Sequence, residues 1–200
     1  METGASQFRV LGIGASMRSR SYSNLALRVA LDSARRAGAE TVFLSLAEVK
    51  VPFYAPDVSE YDSKGLEIAS SEVERADAFI LATPDYHGSM SGVLKNFLDH
   101  YWKEFAGKLF GYVVASHEKG LTVMDHMRTA VRQCYGWSMP YGVSVSGEQD
   151  FTDGKLTNPR IELRLEMLGR DLTMYGRAIR LQFQADVAGA EKNTFASRFR

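Results

Sequence analysis

The chain has 200 residues, 45% of them hydrophobic and 24% charged, the profile of one soluble globular domain able to bury about 70% of the surface its unfolded form exposes. Lysine plus arginine equals aspartate plus glutamate at 24 each, so no global field draws the chain to nucleic acid or to an anionic membrane, and any anion it binds must be gripped locally. The single cysteine, Cys134, permits no internal disulfide and no Cys/His cluster of metal-ligand spacing, which predicts a reducing compartment and no structural metal.

Residues Met1 to Gln7 carry no basic segment leading into an apolar stretch, and no apolar run reaches the roughly 20 residues that cross a bilayer, so a cytoplasmic protein is expected. Apolar runs and amphipathic segments then alternate without a linker or repeat, the pattern of a doubly wound α/β sheet in one domain, 1–200, with its core at about 8–180. A buried strand is predicted from Phe8 to Ala15, followed by a Ser/Arg loop and a helix from Tyr22 to Ala37 that Gly38 stops. Strand two follows at Thr41–Leu46, a loop at Val51–Tyr54, a helix at Ser63–Arg75 and strand three at Ala78–Ala82, with Pro84 forcing a break. Helix three is predicted at Ser91–Phe105, strand four at Leu109–Ser116, helix four at Thr122–Cys134 and strand five at Gly142–Ser146. A last helix runs from Pro159, suited to a first helical turn, to Ile179. The polar tail after Ile179 stays open between a loose extension and one packed on a neighbouring subunit.

Five such parallel strands fit the flavodoxin order 2-1-3-4-5, which places a ligand crevice beyond the carboxyl ends of strands one and three. The loops after strands one, three and four therefore carry the site. The first, from Gly14 to Asn24, sets four serines, two arginines and an amide before a helix N-terminus, where unpaired N–H groups and the helix dipole favour an anion. Arg18 and Arg20 add charge-assisted donors. One of Ser21, Ser23 or Asn24 suffices as a helix cap, so cap and ligand donor both remain open for each. Neither a complete Gly-x-Gly-x-x-Gly nor a Gly-Lys-Ser/Thr ending is present, so a lone terminal phosphate fits better than a pyrophosphate.

Ser16, Arg18, Ser21, Ser23 and Asn24 resemble the phosphate-binding loop of the NADPH-dependent FMN reductase family, which often opens Gly-Ser-x-Arg; here Ala15 stands between Gly14 and Ser16, and the Ser-Tyr-Ser run resembles the arsenical-resistance branch. The run from Pro84 to Asn96 resembles the family's second flavin loop, Pro-x-Tyr-x-Gly-Ser followed by Gly-x-Leu-Lys-Asn. Pro84 fixes the turn, Gly88 admits close backbone approach, Tyr86 can lie along the ring, and N–H groups near His87 and Gly88 can meet its polar edge; Asp85 belongs to the same run. Lys95 and Asn96 brace this loop or a subunit interface. In the third loop only Ser116 and Gly120 resemble the family; His117 and Lys119 either meet a nicotinamide 2′-phosphate or an anionic acceptor, or are solvated loop charges.

The resemblance implies non-covalent FMN and a reduced nicotinamide, NADPH before NADH, as hydride donor. No catalytic protein base is expected, because the hydride passes through flavin N5. It implies a ping-pong exchange with a small acceptor: a quinone, an azo compound, a metal oxyanion or free flavin. It also implies a homodimer or homotetramer in which helices three and four supply the interface. Tyr101, Arg18 or Arg20 could belong to that surface, and Trp102, Met124, Met127, Trp137 and Met139 are read mostly as core. The rival reading is a flavodoxin-type electron carrier, but such carriers are strongly acidic and use threonine in the phosphate loop, whereas this chain has two arginines there and no net charge. A binding module without turnover is the third reading.

Overall fold

The computed structural model describes residues 7–200, so most of the stretch read for a leader lies outside it. Strands β1 (Arg9–Gly14), β2 (Glu40–Ser45), β3 (Ala78–Pro84) and β4 (Leu109–Ala115) form a parallel sheet in the order β2-β1-β3-β4, each pairing as the alternating pattern requires. Strands β1, β3 and β4 are almost wholly buried, as expected of parallel strands covered on both faces. Successive residues feed two separate cores. Leu11, Ile13, Phe79 and Leu81 pack under α3 (Lys64–Arg75), α4 (Gly92–Asp99) and α5 (Leu121–Gln133), whereas Val10, Ile80 and Val113 pack under α1 (Tyr22–Arg36) and the last helix, α7 (Pro159–Ala188). A short helix, α2 (Leu46–Val49), follows β2.

The flavodoxin order is confirmed, with corrections to several elements. Strand three runs past Ala82 to Pro84, because proline's missing N–H is harmless at the end of a strand and Asp85 N–H still donates to Ala115 O at 2.8 Å. Helix three ends at Asp99; a separate 3-10 turn at Lys103–Phe105 follows. The fifth strand position is filled by two fragments, β5 (Trp137–Ser138) beside the start of β4 and β6 (Val143–Val145) beside its end, with Pro140 in the gap. Trp102 and Trp137 are more than half exposed, not core, while Met124, Met127 and Met139 are buried as expected.

The last helix continues to Ala188, 30 residues in all, and its Leu165, Leu168 and Leu172 are fully buried, each contributing about 1.5–3 kcal/mol. The tail is neither loose nor free. Phe195 and Phe199 pack on Phe183 and Tyr135, and the Arg200 guanidinium donates to the carbonyls of Val187, Asp186 and Glu191. Between β6 and α7 lie a short helix, α6 (Gly147–Asp150), and an antiparallel hairpin, β7 (Phe151–Thr152) and β8 (Lys155–Leu156). No helix among the described residues is long and apolar enough to cross a membrane, and no group of three or more His, Cys, Asp or Glu among them is arranged to hold a metal.

Candidate functional site

The crevice opens beyond the carboxyl ends of β1, β3 and β4, where the strand order reverses, as the sheet topology requires. At the end of β1 the loop keeps its hydroxyls inward: Ser16, Ser21 and Ser23 are buried, while Arg18 and Arg20 stand exposed and enter no ion pair among the described residues. The capping question resolves in favour of Ser21, whose Oγ accepts the Asn24 N–H at 3.2 Å and lies 3.0 Å from Ser23 Oγ. Ser16 Oγ accepts the Arg18 N–H at 3.3 Å, which holds the loop in a curl with both guanidinium groups at its rim. Asn24 Oδ1 is buried without a partner, a polar position that a ligand hydroxyl or N–H would satisfy.

The loop after β3 is a two-residue hairpin turn. Tyr86 N–H donates to Ser89 O at 3.0 Å, Ser89 N–H returns to Tyr86 O at 3.1 Å, and the central residues His87 and Gly88 both have positive φ, 55° and 77°. Glycine adopts that conformation without penalty, and histidine holds it here between the two flanking hydrogen bonds. The Gly88 N–H, expected to face a ligand edge, is engaged by Asp85 Oδ1 at 2.9 Å. The His87 N–H makes no hydrogen bond among the described residues and remains available. Tyr86 is half exposed at the crevice edge.

Asp85 links this turn to the third loop, since its other oxygen accepts from Ser116 Oγ at 2.8 Å. Ser116 Oγ in turn accepts the Glu118 N–H at 3.1 Å, leaving His117 exposed on the crevice wall. Gly120 caps the start of α5 where an added Cβ would fall 2.8 Å from Val114 Cγ1, and it is not among the residues lining the crevice. Thus Ser16, Arg18, Ser21, Ser23, Pro84, Asp85, Tyr86, Ser116 and His117 converge on one crevice of about 340 Å³. Asn24 lies beneath the first loop, beside a larger hollow of about 970 Å³ that reaches the end of β2. His87 and Gly88 form the outer tip of the turn, and Lys95 and Asn96 stay off the crevice: Lys95 pairs with Asp99, and Asn96 holds the 52–54 loop through Pro52 O and the Tyr54 N–H.

Sequence reasoning missed the buried pair that fastens the loops together. Ser91 Oγ donates to Ala15 O at 2.7 Å, and the Ser91 N–H donates to Thr83 Oγ1 at 2.9 Å, so the start of α4 is tied to both the first and second loops. It also missed the 147–158 excursion, which brings Gly147 and Glu148 to the crevice. Gly147 lies flat on the Tyr22 ring, where a Cβ would fall 2.1 Å from a ring carbon, and Tyr22 packs on Phe151 at 4.9 Å. The Asp-Gly pair at 153–154 between two short alternating runs is a hairpin signal that could have revealed it.

An open parallel sheet of order 2-1-3-4-5 with a Ser/Arg loop after its first strand and a Pro-x-Tyr-x-Gly turn after its third defines a flavodoxin-like protein. Residues 8–150 match the family described as NADPH-dependent FMN reductase, and the chain belongs to that family. The FMN-dependent NADPH-azoreductase of Staphylococcus saprophyticus is 32% identical over 124 residues, 56% of this chain and 63% of that protein. The NADPH azoreductase of Bacillus sp. strain OY1-2 is 29% identical over 135 residues, 65% of this chain and 76% of that one. The match to the first of these thus spans less than two thirds of the relative's length. Among solved structures, FerB, a flavoenzyme NAD(P)H:(acceptor) oxidoreductase from Paracoccus denitrificans, superposes with a TM-score of 0.71 at 18% identity, covering 86% of this chain and 98% of that one, which bears on the fold.

Proposed function

We propose that this chain binds FMN non-covalently in the crevice and uses NADPH, or less well NADH, to reduce a small acceptor such as a quinone, an azo compound, a metal oxyanion or free flavin. The observation that carries this reading is the convergence of the serine/arginine loop and the Pro84–Gly88 turn on one crevice, fastened together by Asp85 and Ser116. The donor set suits such a guest. Buried hydroxyls of Ser16, Ser21 and Ser23 and the free N–H groups of a helix N-terminus face a phosphate monoester, with Arg18 and Arg20 closing over it as charged donors. Tyr86 on the crevice edge is the side chain we assign to the ring, and the unbonded His87 N–H at the tip of the same turn is a donor for its polar edge.

When bound, FMN supplies a two-electron carrier that takes a hydride from the nicotinamide and passes it to the acceptor. The protein orients and binds; no titratable side chain of the crevice needs to move a proton at the reacting carbon. Tyr86 and His117 are exposed at the crevice, and the order we infer is ping-pong, the nucleotide leaving before the acceptor enters. The setting we infer is cytoplasmic, with a homodimer or homotetramer as the working unit.

The test is a visible spectrum of the purified protein with and without FMN, followed by anaerobic addition of NADPH and NADH separately. Bleaching of the flavin bands, faster with NADPH, supports the reading. A bound flavin that neither nucleotide bleaches replaces it with the electron carrier. Intersecting rather than parallel double-reciprocal lines would remove the ping-pong pattern alone.

A further inference from the structure

Beside the crevice, separated from it by His117 and the start of α6, lies a second hollow of about 740 Å³ between the loop after β4, the first turns of α5 and the beginning of α7. We propose that this hollow is the subsite for a phosphate monoester of the reducing nucleotide, its 2′-phosphate, held chiefly by Lys119 and Arg164; the assignment rests on the functional reading above.

Three independent features aim positive potential into it. Lys119 enters no ion pair and no side-chain hydrogen bond among the described residues, although it lies on the hollow's wall. Arg164 gives one N–H, from Nη2, to Gly142 O at 3.1 Å and meets no carboxylate, so most of its donor fork is unused. The 13-residue helix α5 starts here from Gly120 with no side-chain cap and no acidic residue in its first turn, leaving the amides of Leu121, Thr122 and Val123 unbonded among the described residues.

Two carboxylates, Asp150 and Glu118, also line the hollow, against the cations Lys119, Arg128 and Arg164. Asp150 is buried, and its carboxylate accepts from the Ser146 N–H and the Asn158 amide, both at 2.7 Å. Among the lining cations Arg128 is paired with Asp125, and Glu118 is exposed on the hollow's wall without an ion pair among the described residues. A doubly charged phosphate would meet the two unpaired cations and the helix terminus, with Asp150 held by its own donors, whereas the 2′-hydroxyl of NADH would leave those groups no anion to bind. The hollow is therefore a selector between the two nucleotides and not part of the flavin site. Its position on the far side of His117 lets a nucleotide enter the crevice with one end while the other remains in the second hollow.

Two measurements test this on the FMN-loaded protein. Adenosine 2′,5′-bisphosphate should bind by calorimetry, adenosine 5′-monophosphate should bind roughly tenfold more weakly, and Lys119→Gln with Arg164→Gln should abolish the difference. The ratio of kcat/KM for NADPH to that for NADH should fall roughly tenfold or more in the same double variant, with the flavin spectrum confirming that it is folded and loaded. Equal binding of the two adenylates to the wild type, or an unchanged nucleotide ratio in the variant, overturns the subsite. Should the wild type oxidise neither nucleotide, the functional reading falls, while the bisphosphate titration still decides whether the hollow binds phosphate.

Discussion

Asp85 and Ser116 join two loops that are 31 residues apart in sequence: Ser116 Oγ donates to one carboxylate oxygen at 2.8 Å while the other accepts the Gly88 N–H at 2.9 Å. One side chain thus sets both the curl of the second loop and its distance from the third. Asp85→Ala leaves a backbone donor and a hydroxyl without their charged partner, interactions worth about 1.5–3 kcal/mol when fully formed. The expected result is an FMN dissociation constant raised about tenfold or more, read by quenching of flavin fluorescence, with Asp85→Asn intermediate because it keeps one acceptor. Unaltered FMN affinity in Asp85→Ala would show that this clamp does not shape the site.

Arg18 stands on the rim of the first loop with no ion pair among the described residues, so its removal disturbs no packing. Arg18→Ala should leave the melting temperature within about 1–2 °C, as surface changes do, while weakening FMN binding by about 1–2 kcal/mol. Equilibrium dialysis of FMN against the wild type and the variant measures this directly. An equal affinity would assign Arg18 to another surface.

Gly88 combines a φ of 77° with open space: an added Cβ meets nothing closer than Thr122 Oγ1 at 3.9 Å. The Cβ of Gly88→Val therefore meets no close neighbour among the described residues, and the main cost to folding expected is that of placing a β-branched residue in the left-handed region, about 1–2 kcal/mol. For a chain of this length that lowers the melting temperature by only a few degrees. If the turn borders the ring, the new side chain obstructs it, and FMN should be lost far more than stability. A Gly88→Val protein that retains FMN normally would refute that placement, and circular dichroism melts separate the two effects.

What the sequence made legible follows from period and from turn chemistry. Buried runs such as Ala78–Ala82, bounded by polar loops, reveal parallel strands, and the order 2-1-3-4-5, one that five such strands can take, is the one the structure shows. Thr83 and Ser91 were invisible as a unit because their bond depends on a three-dimensional approach across eight residues, and either residue reads alone as an ordinary strand end or helix cap. The split fifth strand was hidden for a related reason: two- and three-residue pairings carry too little pattern, and Pro140 reads only as a break. The tail misled through composition. Its polar residues conceal Phe195 and Phe199, four apart, whose partners Phe183 and Tyr135 lie on other elements.

Lys108 lies at the opposite end of the sheet from the crevice, buried beside Phe79, with Nζ donating to Val73 O at 2.9 Å and Glu74 O at 3.4 Å, two carbonyls in the last turn of α3. Burial lowers its pKa from 10.5 to about 8, helped by the nearby Arg180 and opposed by Asp77, Glu104 and Glu74. Between about pH 8 and pH 10.5 the unfolded chain therefore carries more protons at this position than the folded one, so the contribution of Lys108 to stability rises with pH across that window. Below about pH 8 both states are protonated and the burial penalty is felt undiminished. Lys108→Met removes the titration while filling the same space. The stability of the wild type minus that of Lys108→Met should climb from pH 7 to pH 10, by at most about 1.4 kcal/mol per pH unit. Denaturant titrations of both proteins at pH 7, 8, 9 and 10 measure it, and taking the difference cancels the tyrosines that titrate at higher pH. A difference that is flat or falls over this range would mean that the Lys108 ammonium is not penalised by burial, and that its two carbonyl bonds stabilise the charged form in place.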